Sequence, residues 1–273
     1  HLLKKYKNIN IIKRNSINTK KFIKKFANKG KINLYNNPKE LAENSELIIS
    51  CVGNDNDLED IYLRKNKILD GVKKNTIIVD HTTASLNISI KLFKKFRSKQ
   101  VFFFDAPVSG GEIGAQKGNL AIMVGGEKNK FEILKKSLDC YYKSMIYMGK
   151  SGNGQLTKMV NQICVASIIQ GLAEGLNFAK KKKLNVENLL EAIQNGAAQS
   201  WQLENRSITM WNNKFNFGFM NKLMLKDLKI LLNESKISNI ELPITKQIKG
   251  FYTKLIKKGY SKEDTSNLIR LLR

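Results

Sequence analysis

A glycine-rich stretch, DAPVSGGEIGAQKGNLAIMVGG at residues 105–126, has the residue types to bind a small anion. It follows a short apolar run and opens with the turn formed by Ser109, Gly110 and Gly111. Glycine lets a backbone approach a ligand closely, so the Ser109 hydroxyl and the two glycine N–H groups could hold a carboxylate. A plain tight turn at a strand end fits these residues about equally well. The position after a strand favours binding, because ligands of open α/β sheets lie beyond the carboxyl ends of the strands.

A second motif, SGNGQLTKMVNQ at residues 151–162, places Lys158 one turn into a predicted helix that has a glycine-rich entry. Asn161 follows three residues later and therefore shares a helix face with Lys158. A lysine in a dehydrated pocket suits general acid/base chemistry, because desolvation and a neighbouring positive charge lower the pKa of an amine. A solvated surface position is the ordinary alternative for any lysine of this lysine-rich chain.

The elements that must position these motifs change character once along the chain. Apolar runs with β-branched residues, separated by helical patterns, recur at residues 9–12, 47–52, 76–79, 101–104, 120–124 and 145–148. Alternating strands and helices predict a mostly parallel sheet covered on both faces. From residue 155 onward the apolar residues show only helical spacing. They predict one long helix over residues 155–183 and shorter helices at residues 186–193, 203–211, 220–236, 244–258 and 263–272. We therefore predict an α/β domain at residues 1–150 and an all-helical domain at residues 151–273.

Three motifs together resemble the 3-hydroxyisobutyrate dehydrogenase-like β-hydroxyacid dehydrogenases, relatives of 6-phosphogluconate dehydrogenase. DAPVSGG followed by GA, G and MVGG is similar to the family's substrate signature. Gly152, Gly154, Lys158 and Asn161 match its GxGxxxKxxN signature, and KDL follows at residues 226–228. The resemblance covers essentially the whole chain. It implies a Rossmann-like α/β domain, followed by an all-α domain for substrate binding and oligomerisation.

The activity that the resemblance implies is hydride transfer between a short β-hydroxyacid and NAD or NADP, which yields the semialdehyde or keto form. Lys158 would be the catalytic acid/base. Ser109, Gly110, Gly111 and Asn161 would bind the substrate. The family commonly has a second Asn directly after this Asn, whereas this chain has Gln162.

The resemblance also implies a set of cofactor-binding residues. Lys226 would lie at the nicotinamide end of the site, and Thr83 in the DHTTAS segment would lie near the nicotinamide ring. Val52 and Gly53 align with a Leu-Pro pair of the family, so only their backbone contacts would be retained. Arg14 aligns with the arginine of an NRT motif, and an arginine at that point can pair with a 2′-phosphate. We therefore expect NADP or NAD, with a preference for NADP.

The family's GxGxxG loop, which cradles a pyrophosphate, is absent from the sequence. HLLKKY corresponds to the helix after that loop, so the first strand and the loop would lie before His1. We therefore expect the chain to be N-terminally truncated. A non-catalytic relative that serves as a binding module is the alternative reading.

Composition argues against several other classes of protein. Lys and Arg total 48 against 23 Asp and Glu, a net charge of +25. These charges are spread along the chain rather than grouped, so we expect no nucleic-acid partner. Three separated cysteines and two histidines predict no metal centre and a reducing, cytoplasmic location. His81, the internal histidine, is expected to be a neighbour of the Thr83 loop and not a catalyst.

No signal peptide and no uncharged apolar run of membrane-spanning length occur in the sequence, so we expect no membrane partner. The long helix has a broad apolar arc, more than a small helical domain can bury. Because the family assembles through this domain, we expect a homodimer or homotetramer.

Overall fold

The computed structural model describes residues 1–13 and 16–273, so Arg14 lies outside the described residues. The chain divides into two compact units, His1–Lys158 and Met159–Arg273. The strands of the first unit, in chain order, are β1 (Asn8–Ile12), β2 (Lys31–Tyr35), β3 (Leu47–Ser50), β4 (Ile77–Asp80), β5 (Phe102–Asp105), β6 (Val108–Ser109), β7 (Leu120–Gly125) and β8 (Tyr142–Gly149).

The helices of the first unit lie mainly between these strands. They are α1 (Leu2–Tyr6), α2 (Ser16–Phe26), α3 (Pro38–Glu43), α4 (Asp55–Tyr62), α5 (Ile68–Gly71), α6 (Leu86–Arg97), α7 (Gly111–Lys117) and α8 (Lys128–Leu138). Helix α9 (Asn153–Lys181) begins in the first unit and continues in the second. The division between the units therefore falls inside α9, later than the predicted domain border, because the first turn of α9 packs on the strands of the first unit.

The central sheet has the order β3-β4-β5-β7-β6, with β8 paired to β7. Strands β3, β4 and β5 are parallel and in a register that aligns Ser50 with Asp80 and Asp80 with Asp105. Strand β7 runs antiparallel to β5 and β6 and parallel to β8. Strands β1 and β2 form a separate parallel pair. Three polar side chains thus end neighbouring parallel strands at one edge of the sheet.

Both faces of this sheet are covered, because successive strand residues point to opposite sides. Ile78 and Phe103 pack in one cluster with Tyr62 and Phe96 of helices α4 and α6. Val79 and Phe104 belong to a second cluster, together with Ile122, Val124 and the α8 residues Phe131 and Leu134. Two apolar layers therefore fix the strands whose carboxyl ends carry the candidate site.

The second unit is helical. After α9 come α10 (Val186–Ile193), α11 (Trp201–Trp211), α12 (Asn221–Ile237), α13 (Pro243–Lys257) and a 3₁₀ segment, Thr265–Leu272. Its core lies among α9, α12 and α13 and includes Ile169, Ala173, Leu228 and Tyr252. By length and composition α9 is apolar enough to cross a membrane, a property shared by the core helices of soluble proteins.

The predicted fold class is confirmed, and each of the six predicted strands is present with both ends within three residues of their expected positions. The sequence analysis missed β2 and β6 and the antiparallel direction of β7. Strand β6 has two residues, too few for an alternating pattern, and strand direction depends on partners distant in sequence. The predicted helix at residues 263–272 is instead the 3₁₀ segment.

Candidate active site

Asp80 organises the loops that follow β3 and β4. Its carboxylate accepts hydrogen bonds from Ser50 Oγ at 2.6 Å and from the Thr82 hydroxyl at 2.7 Å. The Thr82 hydroxyl in turn accepts a hydrogen bond from the Val52 N–H at 2.9 Å. Burial raises the pKa of Asp80 to about 6, although these hydrogen bonds favour its charged form. One buried carboxyl group thus holds both loops at the edge where parallel sheets bind ligands.

The expected cofactor residues of these loops differ in what they offer a ligand. Thr83 is half-buried between the buried residues Thr82 and Ala84. Gly53 is exposed, but its N–H is donated to Asp57 Oδ2 at 2.9 Å, and the Val52 N–H is donated to Thr82. Backbone contacts from Val52 and Gly53 to a cofactor would therefore use their carbonyl and Cα groups.

His81 has both ring nitrogens engaged inside the first unit. Nδ1 lies 2.6 Å from the Ala106 carbonyl oxygen and Nε2 lies 2.7 Å from the Tyr141 hydroxyl. Burial lowers the pKa of His81, which favours a neutral ring that donates through Nδ1–H and accepts at Nε2. This arrangement agrees with the expectation that His81 neighbours the Thr83 loop and is not a catalyst.

Asp105 fixes the start of α9. Its buried carboxylate accepts hydrogen bonds from the N–H groups of Gly152 at 2.7 Å and Gln155 at 3.1 Å, and from Ser151 Oγ at 3.3 Å. Burial raises the pKa of Asp105 to about 6. A carboxylate at a helix N-terminus satisfies N–H groups that have no partner within the helix. The acidic residue of the glycine-rich motif therefore anchors the helix that carries Lys158.

Two glycines allow α9 to begin so close to the sheet. A Cβ atom on Gly154 would lie 2.4 Å from the Asp105 carbonyl oxygen and 2.5 Å from that of Met123. Gly152 has a φ of +94°, and a Cβ there would lie 2.3 Å from Leu86 Cδ1. The glycines of the second motif are therefore needed for packing, which the sequence analysis did not distinguish from ligand binding.

Lys158 lies beside the carboxylate-binding turn predicted from the sequence. Its side chain is 7% exposed, and Nζ donates a hydrogen bond to the Val108 carbonyl oxygen at 2.9 Å. Ser109 follows directly, and the next two residues, Gly110 and Gly111, are exposed with φ angles of +121° and +60°. Folding thus brings together two predicted site features that lie about 50 residues apart in the sequence.

The remaining predicted residues form a hydrogen-bonded chain within the second unit. Asn161 Nδ2 donates to Gln162 Oε1 at 2.8 Å, and Gln162 Nε2 donates to Asp227 Oδ2 at 2.7 Å. Lys226 Nζ lies 3.2 Å from Asp227 Oδ1. Gln162 and Asp227 are each 3% exposed. Gln162, the departure from the family pattern, therefore links Asn161 to the KDL motif.

The residues at the carboxyl ends of β3 and β4 fit a nicotinamide dinucleotide in chemistry. Gly53 is exposed, and Thr83 is partly exposed between two buried residues, so both can be reached by a ligand beside these loops. Metal chemistry has no such support: over residues 1–13 and 16–273, no group of three or more His, Cys, Asp or Glu side chains could hold a metal ion.

Comparison with known proteins gives matches to two family models that together span nearly the whole chain. The NAD-binding domain of 6-phosphogluconate dehydrogenase matches residues 1–149. The NAD-binding domain of NADP-dependent 3-hydroxyisobutyrate dehydrogenase matches residues 152–272. Both models describe parts of nicotinamide-dependent dehydrogenases.

Individual relatives agree with these models. An uncharacterized oxidoreductase of Shewanella frigidimarina is 38% identical over 100% of this chain and 92% of that protein. A probable mitochondrial 3-hydroxyisobutyrate dehydrogenase-like protein of Arabidopsis thaliana is 35% identical over 88% of this chain and 72% of that protein.

A solved structure extends the likeness to the fold. The 3-hydroxyisobutyrate dehydrogenase of Salmonella typhimurium has a TM-score of 0.83 at 19% identity, with 97% of this chain and 99% of that chain covered. The matching family models and relatives, together with the observed α/β and helical units, show that the chain belongs to the 3-hydroxyisobutyrate dehydrogenase-like family of NAD(P)-dependent oxidoreductases.

Proposed function

We propose that this oxidoreductase converts a short β-hydroxyacid to its semialdehyde or ketoacid, and the carbonyl compound back to the hydroxyacid. Similarity to 3-hydroxyisobutyrate dehydrogenases supports 3-hydroxyisobutyrate or a close analogue as substrate. NAD(P)⁺, when bound, accepts the hydride that leaves the β-carbon. The protein must then bind the substrate carboxylate, exclude water and take the hydroxyl proton. In the reverse direction, the same side chain returns that proton to the carbonyl oxygen.

Lys158 is the proposed proton acceptor, and its position is the observation that carries the proposal. The buried amine lies 2.9 Å from the Val108 carbonyl oxygen, directly before the Ser109 turn. In a β-hydroxyacid only two carbons separate the carboxyl carbon from the hydroxyl oxygen. A proton acceptor and a carboxylate site for such a substrate must therefore be close neighbours, which supports the pairing of Lys158 with the turn.

The test compares two lysines of the same helix. We expect Lys158→Met to lower kcat for 3-hydroxyisobutyrate oxidation by about two to four orders of magnitude, the range for a positioned acid/base. Cofactor binding, followed by fluorescence titration, should change by no more than a few-fold. The control is Lys181→Met, because Lys181 is exposed at the end of α9 and should leave kcat unchanged. Wild-type turnover by Lys158→Met would refute the assignment.

The substrate carboxylate has two proposed sets of donors. The Ser109 hydroxyl and the N–H groups of Gly110 and Gly111 form one set, and the open space around Gly111 Cα supports close approach of a ligand. The Asn161 amide is the other donor. Its assignment rests on the family's signature; within the second unit, its Nδ2 group donates one of its two hydrogens to Gln162.

NADP is the preferred cofactor in this proposal. Two observations support it. Arg14 aligns with the arginine of the family's NRT motif. Residues 152–272 match the model of a domain from an NADP-dependent 3-hydroxyisobutyrate dehydrogenase. A guanidinium group can form paired hydrogen bonds with a 2′-phosphate, which NAD lacks.

A homodimer or homotetramer is proposed from the exposed apolar stripe of α9. Leu156, Val160, Cys164 and Ile168 recur every four residues along one helix face. Val160 is 60% exposed and Ile168 is 41% exposed. A contiguous apolar helix face of this kind is typical of an interface between subunits.

A further inference from the structure

The side chain of Gln155 forms hydrogen bonds with the backbone on both sides of Thr83. Gln155 Nε2 donates to the Thr82 carbonyl oxygen at 2.7 Å, and Oε1 accepts from the Ala84 N–H at 3.1 Å. Thr82, Ala84 and Gln155 are buried, with exposures of 0 to 1%. Buried backbone groups need partners, and a single amide here satisfies one group on each side of Thr83. The amide thereby fixes the backbone from which the Thr83 side chain projects.

Gln155 is itself held firmly at its backbone. Its N–H donates to Asp105 Oδ2 at 3.1 Å, in the first turn of α9. The preceding residue, Gly154, lies so close to the sheet that even a Cβ atom would overlap backbone oxygens. The amide therefore extends from a fixed point on the sheet edge to the Thr83 loop.

Lys158 lies one turn further along the same helix. Residues three apart share a helix face and are separated by about 4.5 Å along the axis. On this face Gln155 contacts the loop after β4, whereas Lys158 contacts β6 beside Ser109. The helix thus sets the distance between the Thr83 loop and the amine of Lys158.

We propose that Gln155 is a positioning residue for hydride transfer. It holds the Thr83 loop at a fixed distance from Lys158, so that a bound nicotinamide would reach the β-carbon while the amine of Lys158 reaches the hydroxyl oxygen on that carbon. This inference rests on the proposed function, in which Thr83 neighbours the nicotinamide and Lys158 takes the proton. A merely structural Gln155 would affect the stability of the protein but not the turnover of the folded molecules.

Two substitutions separate these roles. Gln155→Met keeps the side-chain length and removes both hydrogen bonds. Gln155→Glu keeps both hydrogen bonds only while the glutamate is protonated. A carboxylic acid then offers one O–H donor and one C=O acceptor, which can replace the donor and the acceptor of the amide. The ionised form would place a second acceptor against the Thr82 carbonyl oxygen, and a negative charge near Asp105. The control is Gln170→Met, since Gln170 is a buried glutamine of the same helix whose side chain donates to Glu174, one turn further along that helix.

We expect Gln155→Met to lower kcat for 3-hydroxyisobutyrate with NADP⁺ on the order of 100-fold, the cost of about 1 Å of misplacement. The KM for the hydroxyacid should stay within threefold, and circular dichroism should show a folded protein. Amide hydrogen exchange across residues 80–86, measured without cofactor, should be faster than in wild type. Gln170→Met should match wild type in both measurements.

The pH profile of Gln155→Glu is the decisive readout. The ratio of its kcat to that of wild type should be near one at low pH and should fall as the glutamate ionises. A pH-independent ratio, or a folded Gln155→Met with wild-type kcat, would overturn the proposal. If Gln155→Met does not fold, the pH dependence of the kcat ratio between Gln155→Glu and wild type decides alone. Wild-type activity of Lys158→Met would refute instead the proposed function.

Discussion

Replacement of Asp80 by asparagine tests how the protein holds a buried carboxylate beside its cofactor loops. Asp80 Oδ1 accepts three hydrogen bonds, from Ser50 Oγ and from the hydroxyl and N–H of Thr82. Asp80 Oδ2 is buried and has no hydrogen-bond partner among the described residues. Asparagine keeps the accepting oxygen, has nearly the same shape and does not titrate. The substitution therefore isolates the free energy of ionisation.

The expected magnitude follows from the pKa of Asp80, which burial raises from 3.8 to about 6. The folded protein then binds more protons than the unfolded chain between these values, so stability falls as pH rises through this range. With these two pKa values, Asp80 makes the folded state less stable at pH 7 than at pH 5 by about 1 kcal/mol. The Asp80→Asn variant lacks this contribution.

Urea unfolding at pH 5 and pH 7, at one protein concentration, measures the effect. The difference in unfolding free energy, variant minus wild type, should increase by about 1 kcal/mol from pH 5 to pH 7. The other titrating groups are common to both proteins and largely cancel. Asp70→Asn is the control, because it makes the same chemical change at an exposed position of the same unit. A flat difference for Asp80→Asn would show that its carboxyl is not raised in pKa by burial.

Three further predictions concern packing, cofactor choice and assembly. Gly154→Ala should destabilise the protein by about 3 kcal/mol or more in urea unfolding, because the new Cβ would overlap backbone oxygens. The control is Gly171→Ala, where a Cβ has open space and the substitution should be neutral or stabilising. A destabilisation as small as that of the control would contradict the close approach of α9. Arg14→Asp should remove a ten- to a hundredfold preference for NADP in kcat/KM, because it removes charged hydrogen bonds to the 2′-phosphate worth about 1.5–3 kcal/mol each. An unaltered preference would exclude Arg14 from the 2′-phosphate site. Ile168→Glu should shift the sedimentation coefficient towards the monomer, and a monomeric wild type would refute the proposed interface.

The sequence by itself determined the fold class, the family and the candidate residues of the site. Apolar periodicity is local, so strands and helices can be read from it wherever a run is long enough. The glycines stand out by their density, and Lys158 stands out by its spacing from Gly152 and Gly154, which matches the family's GxGxxxKxxN signature. Lys158 and Ser109 could be named for this reason, although nothing local shows that they are neighbours.

Only the tertiary structure decided which polar residues position the site. Asp80, Asp105 and Gln155 were not singled out as functional, because a carboxylate or an amide in a sequence carries no sign of its burial or partners. The partners of Gln155 lie 71 and 73 residues away along the chain, and that of Gln162 in the KDL motif lies 65 residues away. Long-range packing determines such contacts, since a buried polar group must be satisfied by whichever group the fold brings near. The sequence therefore indicates which residue types carry the chemistry of the site, whereas the tertiary structure alone sets their distances and contacts.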